Sequence, residues 1–446
     1  VLRVCRRTDT LLTHRVHLTS LYGDLIFHEG KFVCCMVEKT HGRKAYSRRA
    51  YDGKTEIRDE KMTARIFQLS KQNIDGSPAD IAVNALRNGE LVVLPTETVY
   101  GIAVRADDQA AVEHLLAAKN RSEKNPFTLA FSGIPQLLKF VPQMSVTAER
   151  LARRCFPGPV TLVMNADLPE SAVFALPEGV RRYIMPEDSI GIRVPQNTFT
   201  LEVLRKADFP IALTSANLSG QVDSTSAEEV IQALGDKVDL IFDDGDSPLK
   251  RASSVLQFAK NSNIFRILRA GAVSKGQLER LAQPLILFVC SGNTCRSPMA
   301  EVLARAILAQ MHGTVPEKVE QELGIQFLSA GTYANDFSPA SPNARHAMNA
   351  VGLSLAQHIS RPVTPALLEY ADLIYAMTPA HCRQMTSIMP EISHKIFTLA
   401  RTSGGISDPY GGSIEVYETC ARQIREALEK EFAASDFQKI AFSDRI

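Results

Sequence analysis

Apolar residues in this chain fall into two alternating patterns, short unbroken runs and stretches spaced three and four apart. The strand-like segments are LVVLP (91–95) and PLILFVC (284–290), with FPGPVTLVM (156–164), GIRVP (191–195) and LTSANLSG (213–220) as strand-then-polar-turn units and ASSVLQF (252–258) and RILRAG (266–271) after them. Most have the length and β-branched content of buried strands that end at proline, glycine or a polar turn. ADIAVNALRNGE (79–90) and AAVEHLLAAK (110–119) carry helical spacing instead. Strand and helix signals that alternate in this way predict an α/β protein. Residues 1–75 stand apart, with no sustained period of either kind, although 53–71 fits a strand or two. A non-native start or a loosely ordered leader is the expectation for that segment, which opens on Val1.

Residues 284–301, PLILFVCSGNTCRSPMAE, join pattern to chemistry. Leu285–Val289 reads as a strand buried on both faces, as in a parallel sheet. Ser297 reads as an N-cap and Pro298 as the first helical residue. The turn between them can converge its backbone N–H groups on one point, where the helix N-terminus adds its positive end. Arg296 can grip an oxyanion bidentately there, and the same field favours a nucleophilic thiolate at Cys290. This is the layout of a phosphatase that works through a cysteinyl-phosphate. A bare C-x5-R is uninformative in a chain with eight cysteines; the strand, small polar loop and helix around it make it specific. The leaving group needs a proton donor, and Asp408 in SDPYGGS (407–413) is the candidate. Tyr410 would wall the pocket, and Gly411 and Gly412 would let the loop turn over it.

VCSGNTCRSPMAE, LSAGT (328–332), ADLIYAMTPAH (371–381) and DPYGGS (408–413) make residues 284–446 resemble the low-molecular-weight protein phosphatases. The resemblance implies a flavodoxin-like, doubly wound parallel sheet with the nucleophile at the end of its first strand. It implies Cys290 as nucleophile, Arg296 on the phosphoryl group, Asn293 shaping the loop, Ser297 stabilising the thiolate and Asp408 as general acid. Thr294, followed by Cys295, is similar to the protein-arginine phosphatase branch. A β-branched hydroxyl there would narrow the pocket against a phenyl ring and accept a flat guanidinium, so phosphoarginine is favoured slightly over phosphotyrosine. Arsenate reductase, a third branch, needs a cysteine relay. Cys295, Cys382 and Cys420 show no suitable spacing for it.

Residues 76–283 carry a separate polar set. Neither a Walker loop nor G-x-G-x-x-G occurs there. Lys119, Arg121, Arg193 and Arg269 instead sit at element ends beside Ser215, Asn217 and Ser254. Cations and neutral donors converging from several turns can hold a triphosphate or a carboxylate. PTETVYG, Lys119-x-Arg121 with Asn125-Pro126, FPGPVT, IRVP and TSANLSG make this part resemble the YrdC-type threonylcarbamoyl-AMP synthases, which implies a YrdC-like α/β domain with a twisted mixed sheet. ATP, L-threonine and bicarbonate would become threonylcarbamoyl-adenylate and pyrophosphate, and the tRNA-modification machinery would receive the adenylate. Lys119, Arg121, Asn125, Ser189, Asn217, Thr225 and Arg269 would touch ATP. Thr98, Arg193, Ser215 and Ser254 would surround threonine, with Arg193 on its carboxylate. Mg²⁺ would ride on the triphosphate, with no protein-built metal site and no tightly bound cofactor. Double-stranded RNA binding is a further family expectation. Ser122, Phe127, Ala130 and Ser253-Ser254 depart from the commoner family residues.

Length and composition agree with two catalytic domains and an appendage: 446 residues, 45% hydrophobic. The expected divisions are 1–75, 76–283 and 284–446. A net charge of +1 argues against bulk attraction to nucleic acid, so any tRNA contact is local. No apolar run reaches membrane-spanning length. A cysteine needed as free thiolate indicates a reducing cytoplasm. A bifunctional enzyme is the favoured reading. Its alternatives are one catalytic half beside a regulatory module, or an RNA-binding upstream half.

Overall fold

The computed structural model describes residues 64–70, 77–120, 126–335 and 337–442, together with the backbone of five strands between Thr19 and Lys61. Those five, Thr19–Ser20, Gly23–His28, Lys31–Thr40, Arg43–Tyr51 and Asp59–Lys61, pair antiparallel in chain order. The absence of a strand period in this segment is therefore corrected. Lys31–Thr40 and Arg43–Tyr51 stay in register over Phe32↔Tyr51 to Thr40↔Arg43. Backbone pairing sets that ladder, and the basic RKAYSRRAY strand gives no alternation by which to read it.

The chain divides into two compact units. The first holds residues 1–140, 157–159 and 166–253. Besides the antiparallel strands it contains a mixed sheet ordered Ser189–Arg193, Thr128–Ala130, Ile211–Ser215, Gly101–Arg105, Val92–Leu94, Leu240–Asp243, Arg65–Gln68. Ile211–Ser215 runs antiparallel to both of its neighbours, so the ends of Gly101–Arg105 and Ile211–Ser215 meet as Gly101↔Ser215. Helix Pro78–Arg87 buries Ala79, Ala82, Val83, Ala85 and Leu86 in a core with Val203, Leu204, Phe209 and Phe242. That face is the one its three-and-four spacing calls for.

The second unit holds residues 141–156, 160–165 and 254–446. Phe265–Arg269, Ser254–Phe258 and Val160–Asn165 lie side by side in it, the first pair antiparallel and the second parallel. Its other sheet is wholly parallel and ordered Gln326–Gly331, Leu285–Cys290, Leu373–Ala376, Ile396–Thr398. Ile286, Phe288 and Cys290 enter a core with helices Arg296–His312 and Ile414–Ala433. Leu285, Leu287 and Val289 enter another with Leu368, Met385 and Ile392. The unbroken apolar run follows directly, because helices cover both faces of a strand whose side chains alternate.

One carboxylate organises the base of that sheet. Asp372 accepts the Leu285 N–H at 2.8 Å and meets Arg150, Arg153 and Arg154 of helix Val146–Cys155 at 3.0, 2.7 and 2.6 Å. Burial alone would raise its pKa. Arg150 and Arg154, with the Leu285 amide and Arg153, outweigh burial and hold it below the usual carboxylate value. The pairing thus stabilises above the unfolded-state value near pH 4 and is lost as pH falls through the depressed folded one. Asp372→Asn should cost about 3–5 kcal/mol at pH 7, because buried guanidinium groups lose their counter-charge. Urea unfolding of wild type and variant at pH 7 and pH 3 checks this. The gap between them should narrow in acid, and a gap independent of pH would refute it.

Candidate active sites

Five residues, 291–295, separate strand Leu285–Cys290 from helix Arg296–His312. Asn293 is fully buried with φ 53°, a left-handed conformation asparagine tolerates. Its Nδ2 donates to Ser297 Oγ at 2.9 Å, its Oδ1 accepts the Arg361 N–H at 2.9 Å, and its carbonyl lies 2.7 Å from His358 Nε2. A Cβ on Gly331 would stand 2.4 Å from the Ser291 carbonyl and 2.8 Å from the Asn293 nitrogen, so this loop closes only over glycine.

Cys290 Sγ lies 3.0 Å from Ser297 Oγ. That hydroxyl has one proton and two possible acceptors, the sulfur and the Ala330 carbonyl at 3.2 Å. Turned to the sulfur, it supplies a thiolate with a hydrogen bond, while Asn293 Nδ2 holds its oxygen. Reading Ser297 as the N-cap is corrected. The helix starts at Arg296, Cys295 holds the cap position, and no side chain caps it. The serine hydroxyl is drawn to Cys290 and Asn293 instead of the backbone amides, and the turn, at five residues, is three shorter than the eight expected between Val289 and Pro298.

Arg296 is buried. Its Nη1 donates to the Ile406 carbonyl at 3.2 Å, and its Nη2 to Ser291 Oγ at 3.4 Å and to the Asp408 carboxylate. Its Nε has no acceptor among the described residues. Gly405 lets this loop close in, since a Cβ there would meet the Met377 carbonyl at 2.4 Å. Asp408 is half exposed, and its second oxygen accepts the Tyr410 N–H at 3.2 Å. Tyr410 stands in solvent at 81% exposure, where an incoming group can reach it. Thr294 is partly buried, its Oγ1 3.7 Å from Cys295 Sγ. The structure thus brings Cys290, Asn293, Arg296, Ser297 and Asp408 together, with Thr294 and Tyr410 on the same loops. The five described cysteines are all free. Cys295 bonds with Ser341 and Tyr417, Cys382 with Thr398, and Cys420 with the Ser407 carbonyl. Burial pushes the Cys420 thiol up to about 12.

In the first unit, Lys119 closes helix Gln109–Lys119 and is almost wholly buried. Its ammonium reaches the Ser215 carbonyl, Thr214 Oγ1 at 3.3 Å and Asn217 Oδ1 at 3.4 Å. Ser215 Oγ donates to Asn217 Oδ1 at 2.5 Å, and Asn217 Nδ2 to the Gln221 carbonyl at 2.7 Å. A second cluster joins Arg193 Nη2 to Glu97 Oε1 at 2.7 Å and Thr98 Oγ1 at 2.8 Å. Arg193 Nε has no acceptor among the described residues. Backbone bonds Ala216 N–H to Tyr100 O and Tyr100 N–H to Ser224 O tie the two turns together.

The remaining expected ligands lie on several different elements. Ser189 opens the strand that Arg193 closes, about 13 Å away along it. Thr225 N–H and Oγ1 both bond Glu229 at the start of helix Ala227–Leu234. In the second unit, Ser254 donates to the Val273 carbonyl at 2.7 Å and accepts from the Gly271 and Val273 N–H groups at 3.0 Å. Arg269 is exposed at the end of its strand. Arg121 and Asn125 lie outside the described residues. Sequence reasoning missed Glu97, although it lies inside TETVYG, a motif it quoted. It also missed Ser291, inside the cysteine loop, His381, within TPAH, and His358, which lies in none of the quoted motifs.

A family model described as telomere recombination, for Sua5, YciO and YrdC proteins, matches residues 84–271. Another, described as low molecular weight phosphotyrosine protein phosphatase, matches residues 285–439. The chain is 32% identical to the threonylcarbamoyl-AMP synthase of Pyrococcus abyssi over 211 residues, 47% of this chain and 59% of that protein. It is 33% identical to the Mus musculus threonylcarbamoyl-AMP synthase over 218 residues, 48% of this chain and 73% of that protein. Its identity to the protein-arginine-phosphatase of Bacillus subtilis is 38% over 149 residues, 32% of this chain and 92% of that protein. The chain therefore spans somewhat more than half of the archaeal synthase and nearly all of the bacterial phosphatase. It belongs to two enzyme families at once, the Sua5/YrdC family in its upstream part and the low-molecular-weight phosphatases in its downstream part.

Proposed function

We propose that this chain is a bifunctional enzyme. Its upstream part makes threonylcarbamoyl-adenylate from ATP, L-threonine and bicarbonate. Its downstream part hydrolyses a phosphoprotein through a cysteinyl-phosphate. The observation that carries the downstream reading is the buried Arg296 guanidinium, with Nε still unpaired, on the loop that holds Cys290 against Ser297. In the first step the thiolate attacks phosphorus, the S–P bond forms and the bond to the substrate's nitrogen or oxygen breaks. Asp408 delivers a proton to the leaving atom. Water then cleaves the S–P bond, giving up a proton to Asp408, and inorganic phosphate leaves. Arg296 must turn partly from Asp408 to take the phosphoryl oxygens, which frees the carboxyl for proton transfer.

Phosphoarginine is the favoured substrate. Asp408 already pairs with one guanidinium, that of Arg296, and could pair with the leaving arginine as well. The 38% identity to a protein named as an arginine phosphatase supports the same choice. Side-by-side turnover of phosphoarginine and phosphotyrosine peptides tests it. Phosphoarginine should be hydrolysed at least ~10-fold faster, and Thr294→Ile should shrink the ratio by replacing a hydroxyl beside the guanidinium with apolar surface. Equal rates in the wild type would overturn it.

Upstream, Arg193 and Thr98 would bind the threonine carboxylate, while Lys119, Arg121, Ser215 and Asn217 would hold the triphosphate with its Mg²⁺. Threonine's amine attacks the bicarbonate carbon, one C–O bond breaks and water leaves; the resulting carbamate oxygen then attacks the α-phosphorus as pyrophosphate leaves. No side-chain nucleophile is required, so positioning and charge neutralisation do the work. The tRNA-modification machinery would take the adenylate, and free thiols suit a reducing cytoplasm. Among the described residues no helix is long and apolar enough to cross a membrane. Incubation with ATP, threonine and bicarbonate, followed by mass detection of the adenylate, tests the reading. Pyrophosphate release independent of threonine would defeat it.

A further inference from the structure

We infer that His381 is a positioning residue for phosphoryl transfer, acting through Ser291 to hold the Arg296 guanidinium where the phosphoryl oxygens bind. This rests on the phosphatase reading. Its imidazole is buried between two hydroxyls, with Nε2 2.9 Å from Ser291 Oγ and Nδ1 2.8 Å from Thr378 Oγ1. Ser291 Oγ is in turn the acceptor for Arg296 Nη2 at 3.4 Å. The chain of contacts therefore runs from the end of strand Leu373–Ala376, through one imidazole, into the cysteine loop.

Proton counting gives the chain a direction. Arg296 can only donate, so Ser291 accepts from it and its own hydrogen is available for His381 Nε2. When that hydrogen goes to Nε2, the ring is neutral and its single proton sits on Nδ1, facing Thr378. Burial first, then the Arg296 charge, bring its pKa down to about 4, against the opposing pull of Asp408. A protonated ring would aim an N–H at Ser291, turn that hydroxyl around and set a second cation beside Arg296.

Local structure points the same way. Thr378 occupies the N-cap position of helix Pro379–Ile388 but makes no side-chain cap bond. A capping hydroxyl typically stabilises a helix by about 1 kcal/mol, and here it goes to the imidazole. Arg296 has few other anchors of this kind. Ile406 supplies a backbone carbonyl, and Asp408 must be released for its proton transfer. Once Asp408 lets go, Ser291 backed by His381 is the side chain that keeps the guanidinium in plane.

The test uses the full chain with His381→Ala, His381→Gln, Ser291→Ala and the His381→Ala/Ser291→Ala double variant. Inorganic phosphate affinity is read by calorimetry, and turnover of p-nitrophenyl phosphate from pH 5.5 to 8. His381→Ala should weaken phosphate binding and lower kcat by ~10-fold each. His381→Gln, whose amide oxygen can accept from Ser291, should recover most of both. The double variant should be no worse than the more damaged single one, because both break the same chain. The pH profile should keep its shape. Additive losses, no rescue by glutamine, or a displaced pH profile would each overturn the inference, the last by making His381 a proton carrier. A wild-type chain that binds phosphate but turns over no phosphoester would defeat the phosphatase reading, while the affinity series still decides the role of His381.

Discussion

Cys290→Ser should lower phosphoester hydrolysis on the order of 10⁴-fold and leave threonine-dependent pyrophosphate release within about twofold of wild type. The loss is chemical, not structural. Serine is close in size to cysteine, and the site is already lined by the Ser297 hydroxyl at 3.0 Å, so packing tolerates the exchange. The hydroxyl, however, is a far weaker acid than a thiol. Its described hydrogen-bond neighbour, Ser297, is itself a hydroxyl and cannot act as a base at neutral pH. Ser297→Ala gives the complementary measurement. It keeps the sulfur but removes its hydrogen-bond donor, and kcat should fall about 10–100-fold, with a stability loss of about 1–3 kcal/mol because the buried Asn293 Nδ2 loses its acceptor. Phosphatase turnover is measured on phosphoarginine peptide and pyrophosphate release on ATP with threonine. Substantial hydrolysis by Cys290→Ser would mean that another group attacks phosphorus.

The second large effect is expected at Arg193. Its Nη2 serves Glu97 and Thr98 together, and its buried Nε has no acceptor among the described residues. A buried guanidinium with a donor left over is suited to a planar carboxylate. Arg193→Lys keeps the charge opposite Glu97 but cannot present a fork. The KM for threonine should rise about 30-fold, the equivalent of ~2 kcal/mol, with the KM for ATP little changed. Arg193→Ala is a poorer probe, because it strands the Glu97 carboxylate, which keeps only the Gln196 N–H at 2.9 Å. Equal increases in both KM values would move Arg193 from the amino-acid pocket to a general structural role.

Much of the phosphatase loop could be read from residue order alone. Cys290, Arg296 and Ser297 are separated by so few residues that a strand, a turn and a helix leave little freedom in where they go. The apolar run before them also announces a strand covered on both faces, and Ile286 and Leu287 do enter opposite cores. Local chemistry failed where a side chain had a choice of partner. Ser297 looked like a cap, and its hydroxyl instead found sulfur and the Asn293 amide.

The upstream site was legible as an inventory and much less as an arrangement. Lys119 meets Ser215 and Asn217, and Arg193 meets Thr98, because strands Gly101–Arg105 and Ile211–Ser215 pair antiparallel and bring their turns together. The Ser254 hydroxyl closes the 271–273 turn with three hydrogen bonds, contacts that its motif does not announce. Sequence periodicity and short-range spacing dictate which segments become strands or helices, and which reactive groups lie within one turn of each other. Pairing across distant strands decided that Glu97 would neutralise Arg193, that Asp372 would gather three arginines, and that His381 would stand behind Ser291. Those contacts join residues dozens to hundreds of positions apart, and no local spacing encodes a distance that only the closed sheet and its helices define.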